Sequence, residues 1–291
     1  MATFTTELRV ADVQGPGVLL VCSDLHGNLQ DYRRMVELFR AESDATLLFL
    51  GDLFHGPAVS KAEWTILYEH LADWYPDESA QVYRELATLM DEFPDRVTSL
   101  LGNHDHAHVG GPVVSKFHLD ESGAMEATME PQELPGLREL LGRLPLIATS
   151  TCGVSFTHGA PPERHFDRDT LEALSLRGYE RVPLYAMYRY DLLGELLWRR
   201  GSSLEGTEQF LTTLAAAGFR TCDVGVHGHE VVEEGFERVH PRLLNLSTSF
   251  GMRRANKRYL RLELGDRYQS CADFKEGMEL LPLYPPGHPV D

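Results

Sequence analysis

A mixed α/β fold is what this sequence predicts, and three features predict it. Short apolar runs at 17–22, 45–50 and 97–101 alternate with segments whose apolar residues recur at helical spacing. Each of these runs closes in a small cluster of Gly, Asp, Asn or His, as strands do when they deliver polar groups to a sheet edge. A later run is different: Leu260, Leu262 and Leu264 alternate with Arg261 and Glu263, the pattern of a half-buried antiparallel strand.

In chain order, Gly17–Cys22 reads as a buried strand ending in Ser23-Asp24-Leu25-His26-Gly27-Asn28. Leu29, Tyr32, Met35, Val36 and Phe39 then mark a helix, and Ala45–Leu50 a second strand closing with Gly51-Asp52. Strand–helix–strand order implies a parallel pair with a right-handed crossover, which brings Asp24, His26 and Asp52 to one edge. Two helices follow, marked by Trp64, Leu67, Tyr68 and Leu71 and by Val82, Leu86, Leu89 and Phe93; Pro94 ends the second. Val97–Leu101 is the third strand and carries Gly102-Asn103-His104-Asp105. From Gly110 to Pro131 the pattern dissolves, and the stretch reads as a loop with little structure of its own, either a lid over the site or a surface insertion. Leu134–Leu144 is helical, and Leu146–Ala148 and Val154–Phe156 are strands, the second leading to His158-Gly159. Helices are expected over Asp191–Arg200, stopped by Gly201-Ser202-Ser203, and over Thr207–Ala217, capped by Gly218. Strands at Asp223–Val226, Leu243–Leu246 and Tyr259–Leu264 follow, the first ending in His227-Gly228-His229. The Pro-rich tail, 282–291, reads as extended. No internal repeat or linker divides the chain, so residues 1–291 are expected to form a single domain with an insertion at 110–131.

Composition restricts the partners. With 43% hydrophobic residues a chain of 291 can bury a sizeable core. No apolar stretch approaches the roughly 20 residues of a membrane span, and no secretory signal is visible. Cys22, Cys152, Cys222 and Cys271 are scattered without a C-x-x-C pair, so a zinc knuckle or disulfide framework is not expected and a cytoplasmic setting is. A net charge of −17 opposes non-specific binding to nucleic acid or anionic membrane. It leaves a phosphorylated substrate open, because bound cations can dominate the local field.

The strand-end residues are Asp24, His26, Asp52, Asn103, His104, His158, His227 and His229. Carboxylates, imidazoles and an amide without thiolate suit Mn, Fe or Zn. They exceed the needs of one ion, so two divalent metal ions are expected, with a bridging carboxylate for which Asp52 is the best candidate. Such a pair lowers the pKa of bound water towards about 7 and clamps a phosphoryl group for in-line attack. The leaving alkoxide then needs a proton, and His104, next to Asn103, is placed to supply it.

At these residues the chain resembles the calcineurin-like metallophosphoesterases. Asp24-Leu25-His26-Gly27-Asn28 resembles their D-x-H-G-[NQ] block, Gly51-Asp52 the G-D block, Gly102–Asp105 the G-N-H-[DE] block and His158-Gly159 the H-G block. Asp223–Glu237 and Asp191–Trp198 resemble segments of the Ser/Thr phosphoprotein phosphatase branch. The resemblance implies two packed mixed β-sheets flanked by helices. It also implies that Asp24, His26 and Asp52 hold one metal, and Asp52, Asn103, His158 and His229 the other. The implied function is phosphomonoester hydrolysis on a phosphorylated protein or small phosphoester. A nucleotide hydrolase of the diadenosine tetraphosphatase type, or a weakly active phospholigand-binding scaffold, stands as the alternative.

Two departures matter. The branch reads G-D-x-x-D-R-G, whereas Gly51-Asp52-Leu53-Phe54 is followed here by His55-Gly56. The Asp that would orient the catalytic His and the Arg that would grip phosphate are missing, and nothing obvious in the sequence replaces the carboxylate. Restoring them with His55→Asp and Gly56→Arg is expected to raise activity if the backbone follows the family. Trp198-Arg199-Arg200 resembles a W-x-R element, which makes Arg200 a candidate substrate-binding residue; the other reading is solvated charge at a helix C-terminus. His227 reads either as a further ligand or, as the match through Glu237 favours, in place of an Arg two residues before His229, hence as a substrate contact. His106 and His108 read as loop histidines without a ligand role.

Overall fold

The computed structural model describes residues 1–68 and 72–288. Its strands are β1 (Thr3–Glu7), β2 (Val10–Gln14), β3 (Val18–Cys22), β4 (Ala45–Phe49), β5 (Val97–Ser99), β6 (Ile147–Ser150), β7 (Val154–Thr157), β8 (Val224–His227), β9 (Phe236–His240), β10 (Leu243–Leu246), β11 (Arg258–Glu263) and β12 (Leu280–Pro282). They form two mixed sheets, ordered β1-β2-β6-β7-β8-β10-β9 and β12-β11-β3-β4-β5.

The apolar runs explain why the sheets stack. Along β3, Leu19 and Val21 point into the layer between the sheets, while Val18, Leu20 and Cys22 point to the helices outside. β4 repeats the division, with Leu48 inward and Leu47 and Phe49 outward. Facing them across the layer are Val13, Ala148, Phe156, Val224, Val226 and Leu244 of the other sheet. A strand buried on both faces must be apolar at every position, which is why these runs show no alternation. Each fully buried Leu or Phe is worth roughly 1.5–3 kcal/mol, so this layer holds the strand ends in place.

β3, β4 and β5 run parallel, and β7 and β8 run parallel in the second sheet. Their C-terminal ends meet at one end of the sandwich, where Ser23 ties the sheets together. Its hydroxyl donates to the Leu246 carbonyl at 2.6 Å, and its N–H donates to Thr248 Oγ1 at 3.0 Å. The crossover helix Leu29–Ala41 is capped by Asn28, whose side chain accepts from the Asp31 N–H. The last residue of the D-x-H-G-N block therefore starts a helix.

The expected strands and helices are present, and antiparallel β11 pairs with β3 as its alternation required. Leu71, one of the markers of the first inserted helix, lies outside the described residues; that helix is Lys61–Leu67. One expectation needs correction. The stretch 110–131 is not a structureless loop: Asp120 caps a short helix, Glu121–Glu126, which turns Glu121, Ser122 and Met125 inward. At the start of the tail Pro282 closes β12 against β11, and Tyr284 is buried. All four cysteines are buried and free. Among the described residues no helix is long and apolar enough to cross a membrane.

Candidate active site

Among the described residues, five of the seven non-glycine residues with positive φ lie in the loops that follow strands: Asp24 (52°), His26 (44°), Asp52 (51°), His55 (71°) and His229 (69°). Such backbone costs about 1–3 kcal/mol per residue and persists only where the surroundings enforce it. Here they do. The His26 N–H donates to the Asp52 carbonyl at 2.9 Å, the Gly228 N–H to the His158 carbonyl at 3.0 Å, and the His104 N–H to Asp52 Oδ1 at 2.9 Å. Asp105 is fully buried and accepts from the N–H groups of Leu53 and Gly102, locking the loop after β4 to the loop after β5. Gly102 is obligatory at this crossing, because a Cβ there would stand 2.1 Å from the Asp52 nitrogen.

The side chains then converge. Two groups of ligand atoms, His26–Asp52–His104 and Asp52–His158–His229, each fall within 4.8 Å of one another, and Asp52 belongs to both. Asp52 Oδ2 lies 3.4 Å from His26 Nε2, and Oδ1 lies 3.5 Å from His158 Nε2. In both rings Nδ1 is committed to a carbonyl, that of His55 at 3.2 Å and that of Leu50 at 2.8 Å. A carbonyl only accepts, so Nδ1 bears the proton and Nε2 turns a lone pair towards the carboxylate. Asn103 Oδ1, a further acceptor, is 2.7 Å from His158 Nε2, and His229 Nε2 is buried with no hydrogen-bond partner among the described residues. Lone pairs facing lone pairs in a buried pocket call for cations between them, and the donor set fits divalent metal ions.

Electrostatics separates the imidazoles by role. Burial pushes His26 down to about 4 and His229 well below its ordinary value, so both are neutral at pH 7, as ligands must be. For His104 burial acts the same way, but Asp52 and the Glu121 carboxylate outweigh it and move the group up. Asp52 stays ionised despite burial, because His158, His104 and His26 surround it. Burial lifts Asp24 to about 6, with Asp52 adding to the rise. Neighbouring imidazoles pushed in opposite directions are how acid and base roles are divided at one site.

A cavity of about 450 Å³ opens over these groups, lined by Asp24, His26, Asp52, Asn103, His104 and His229, with Lys116, Trp198, Arg200, Glu230 and Phe250 towards its mouth. Residues 17–233, most of the chain, match the family model described as calcineurin-like phosphoesterase. The chain belongs to that family. A serine/threonine-protein phosphatase of Caenorhabditis elegans is 22% identical over 246 residues, covering 80% of this chain and 47% of that protein. The phosphoesterase chain thus spans about half the length of the curated relative it matches. Among solved structures, a protein serine/threonine phosphatase of Saccharomyces cerevisiae superposes with a TM-score of 0.56 at 17% identity, covering 86% of this chain and 74% of the other. A cold-active protein-tyrosine phosphatase of a psychrophilic Shewanella species gives 0.53 at 18% identity, covering 89% and 80%. The two-sheet fold is common to them.

Of the residues singled out from the sequence of this phosphoesterase, Asp24, His26, Asp52, Asn103, His104, His158 and His229 come together. Arg200 lines the cavity mouth, mostly exposed and paired with Glu230. Arg199 turns the other way, to Glu163 and Glu195. His227 ends β8 enclosed in the structure, 1% exposed, with Nδ1 on the Gly228 carbonyl, and it is not among the residues that line the cavity. His106 and His108 are buried in the turn after Asn103 and not on an open loop; His106 Nε2 donates to the Leu176 carbonyl at 2.7 Å. Sequence reasoning missed Lys116, Phe250 and Glu121. The one local signal near Glu121 was Asp120, a capping residue three positions ahead of Gly123, and it announces a helix without saying where the helix points.

Proposed function

We propose that this chain is a metal-dependent phosphomonoesterase of the Ser/Thr phosphoprotein phosphatase type. The observation that carries the reading is Asp52, buried, with one oxygen 3.4 Å from His26 Nε2 and the other 3.5 Å from His158 Nε2, while the Nδ1 of each ring is held by a backbone carbonyl. Asp24, His26 and Asp52 would hold one divalent ion, and Asp52, Asn103, His158 and His229 the other. When bound, the two ions supply an activated water and neutralise charge on the phosphoryl oxygens. The chain's own residues do the rest. Lys116 and Arg200 at the mouth offer cationic partners to a phosphoryl dianion, Lys116 as a compact charge and Arg200 as a planar fork. His104, beside Asp52, presents the ring edge opposite Glu121 to the cavity and gives a proton to the departing alkoxide. Asp105 and Gly102 keep Asn103 and His104 in register with Asp52.

Elemental analysis of protein purified with excess Mn²⁺ should find close to two ions per chain. Asp52→Asn should lose much of that metal and the activity together. A substrate panel then tests the chemistry: phosphoserine and phosphothreonine peptides should be cleaved, and faster than diadenosine polyphosphates. Preference for the nucleotides would move the chain to the alternative substrate class, and two tightly held ions without turnover on any phosphoester would leave a binding scaffold.

A further inference from the structure

We propose that Glu121 is the positioning residue for His104, and that the same carboxylate pins the segment that carries Lys116 across the cavity mouth. The proposal rests on the reading of His104 as proton donor. Glu121 is 3% exposed, and its Oε2 lies 2.9 Å from His104 Nδ1. A carboxylate oxygen accepts, so it holds the proton on Nδ1 and turns Nε2 towards the cavity. The other oxygen, Oε1, accepts the backbone N–H groups of Lys116 and Phe117, both at 2.7 Å. One side chain therefore sets the ring that delivers the proton and the backbone that leads into the cavity wall. Held there, Lys116 places its ammonium 3.7 Å over the Phe250 ring, beside the metal-type carboxylates.

The surroundings support a dedicated role. A buried carboxylate needs donors, and this one has two backbone amides and an imidazole on its oxygens. His55, which stands where the phosphatase block places its acid, points Nδ1 to within 3.8 Å of Glu121 Oε2 and has no hydrogen bond of its own there. Its other nitrogen lies 2.9 Å from His108 Nε2, and His108 Nδ1 lies 2.9 Å from Glu126. The acid lost after Asp52 has been supplied from a different element, and an imidazole fills the place it left.

The test uses the full Mn²⁺-loaded chain, with a phosphoserine peptide as the poor leaving group and an aryl phosphate as the good one. Glu121→Gln preserves shape. Its carbonyl can still accept from the two amides, but its NH₂ faces His104 and reverses that hydrogen bond, forcing the proton onto Nε2. Expected is a fall in kcat on the peptide of about 10²-fold or more, a much smaller fall on the aryl phosphate, and little change in KM. Glu121→Ala, which also frees the segment, should raise KM as well and speed amide exchange at Lys116 and Phe117. The double variant His104→Asn, Glu121→Gln should be no slower than His104→Asn, since Glu121 acts through that ring. Both Glu121 variants should keep two ions per chain. In metal-free protein the downfield Nδ1–H resonance of His104 should disappear in Glu121→Gln. An impaired His104→Asn beside an unimpaired Glu121→Gln overturns the proposal alone, as do losses equal across leaving groups or additive in the double variant. A His104→Asn enzyme as fast as the parent on the peptide overturns the proton-donor reading, and the proposal with it.

Discussion

Lys257→Met should cost this protein more stability than any surface substitution, because it strands a charge. Asp31 is fully buried in the first turn of the helix after the Asn28 cap. Its carboxylate accepts from Lys257 Nζ, from the Ser249 hydroxyl, from Asn28 Nδ2 at 3.0 Å and from the Tyr284 hydroxyl at 2.8 Å. Lys257, itself 6% exposed, is the sole cation among those four partners. Met fills its stem but not its charge, and an ion left without its partner in an interior costs about 3–5 kcal/mol. At roughly 2–3 °C per kcal/mol for a chain of this size, the melting temperature should fall by about 6–15 °C. Thermal and urea unfolding by circular dichroism, at one fixed Mn²⁺ concentration so that metal linkage is constant, measures the loss. Asp31→Asn in the Lys257→Met background removes the stranded charge and should recover a good part of it. The network also backs the site, because the Phe250 N–H next to Ser249 donates to the Asp24 carbonyl at 2.8 Å; metal affinity should weaken together with stability. A loss under about 1 kcal/mol, or a double variant no better than the single one, would refute the argument.

Arg200→Ala should leave fold and metal content intact and raise KM for a phosphopeptide about fivefold, the worth of an exposed charge contact near 1 kcal/mol; an unchanged KM would remove Arg200 from substrate binding. The pair His55→Asp, Gly56→Arg, expected from the sequence to raise activity, should instead lose metal and lower the melting temperature. A Cβ at residue 56 would stand 2.6 Å from the His26 carbonyl oxygen, and a carboxylate at 55 would face Glu121 across the gap that His55 Nδ1 now spans at 3.8 Å. A gain in kcat/KM on a phosphomonoester would show that the loop can open to admit both side chains.

What was legible in the sequence was what a strand dictates. Apolar runs buried on both faces have fixed ends, so the sequence alone assigns Asp24, Asp52, Asn103 and His158 to one edge. The edge strands were harder to see. β1 (TFTTE) and β9 (FERVH) face solvent along most of their length and carry no apolar run. The burial of His227 was hidden for a related reason: the motif shows its neighbour His229 but not the left-handed backbone there, nor the enclosure of His227 at the end of β8. Glu121 lay beyond reach altogether. It enters the site from a six-residue helix whose direction is set by tertiary contacts: Met125 in the core, and the Glu121 N–H on the Val114 carbonyl at 3.2 Å.

The net charge of −17 and an anionic substrate are compatible once charge is counted where the substrate would sit. The cavity wall holds two carboxylates, Asp24 and Asp52, with Glu230 at the rim opposite Arg200 and with Lys116 near Phe250. Two divalent ions would carry twice the charge of the two inner carboxylates, so the loaded floor is positive and the cationic rim adds to it. Without ions the same floor repels a phosphoryl group, and burial already lifts Asp24 to about 6 and Asp105 to about 7. Substrate affinity and metal occupancy are therefore coupled through one field. Phosphate, a product of the proposed reaction, should bind the Mn²⁺-loaded chain and bind the metal-free chain far more weakly.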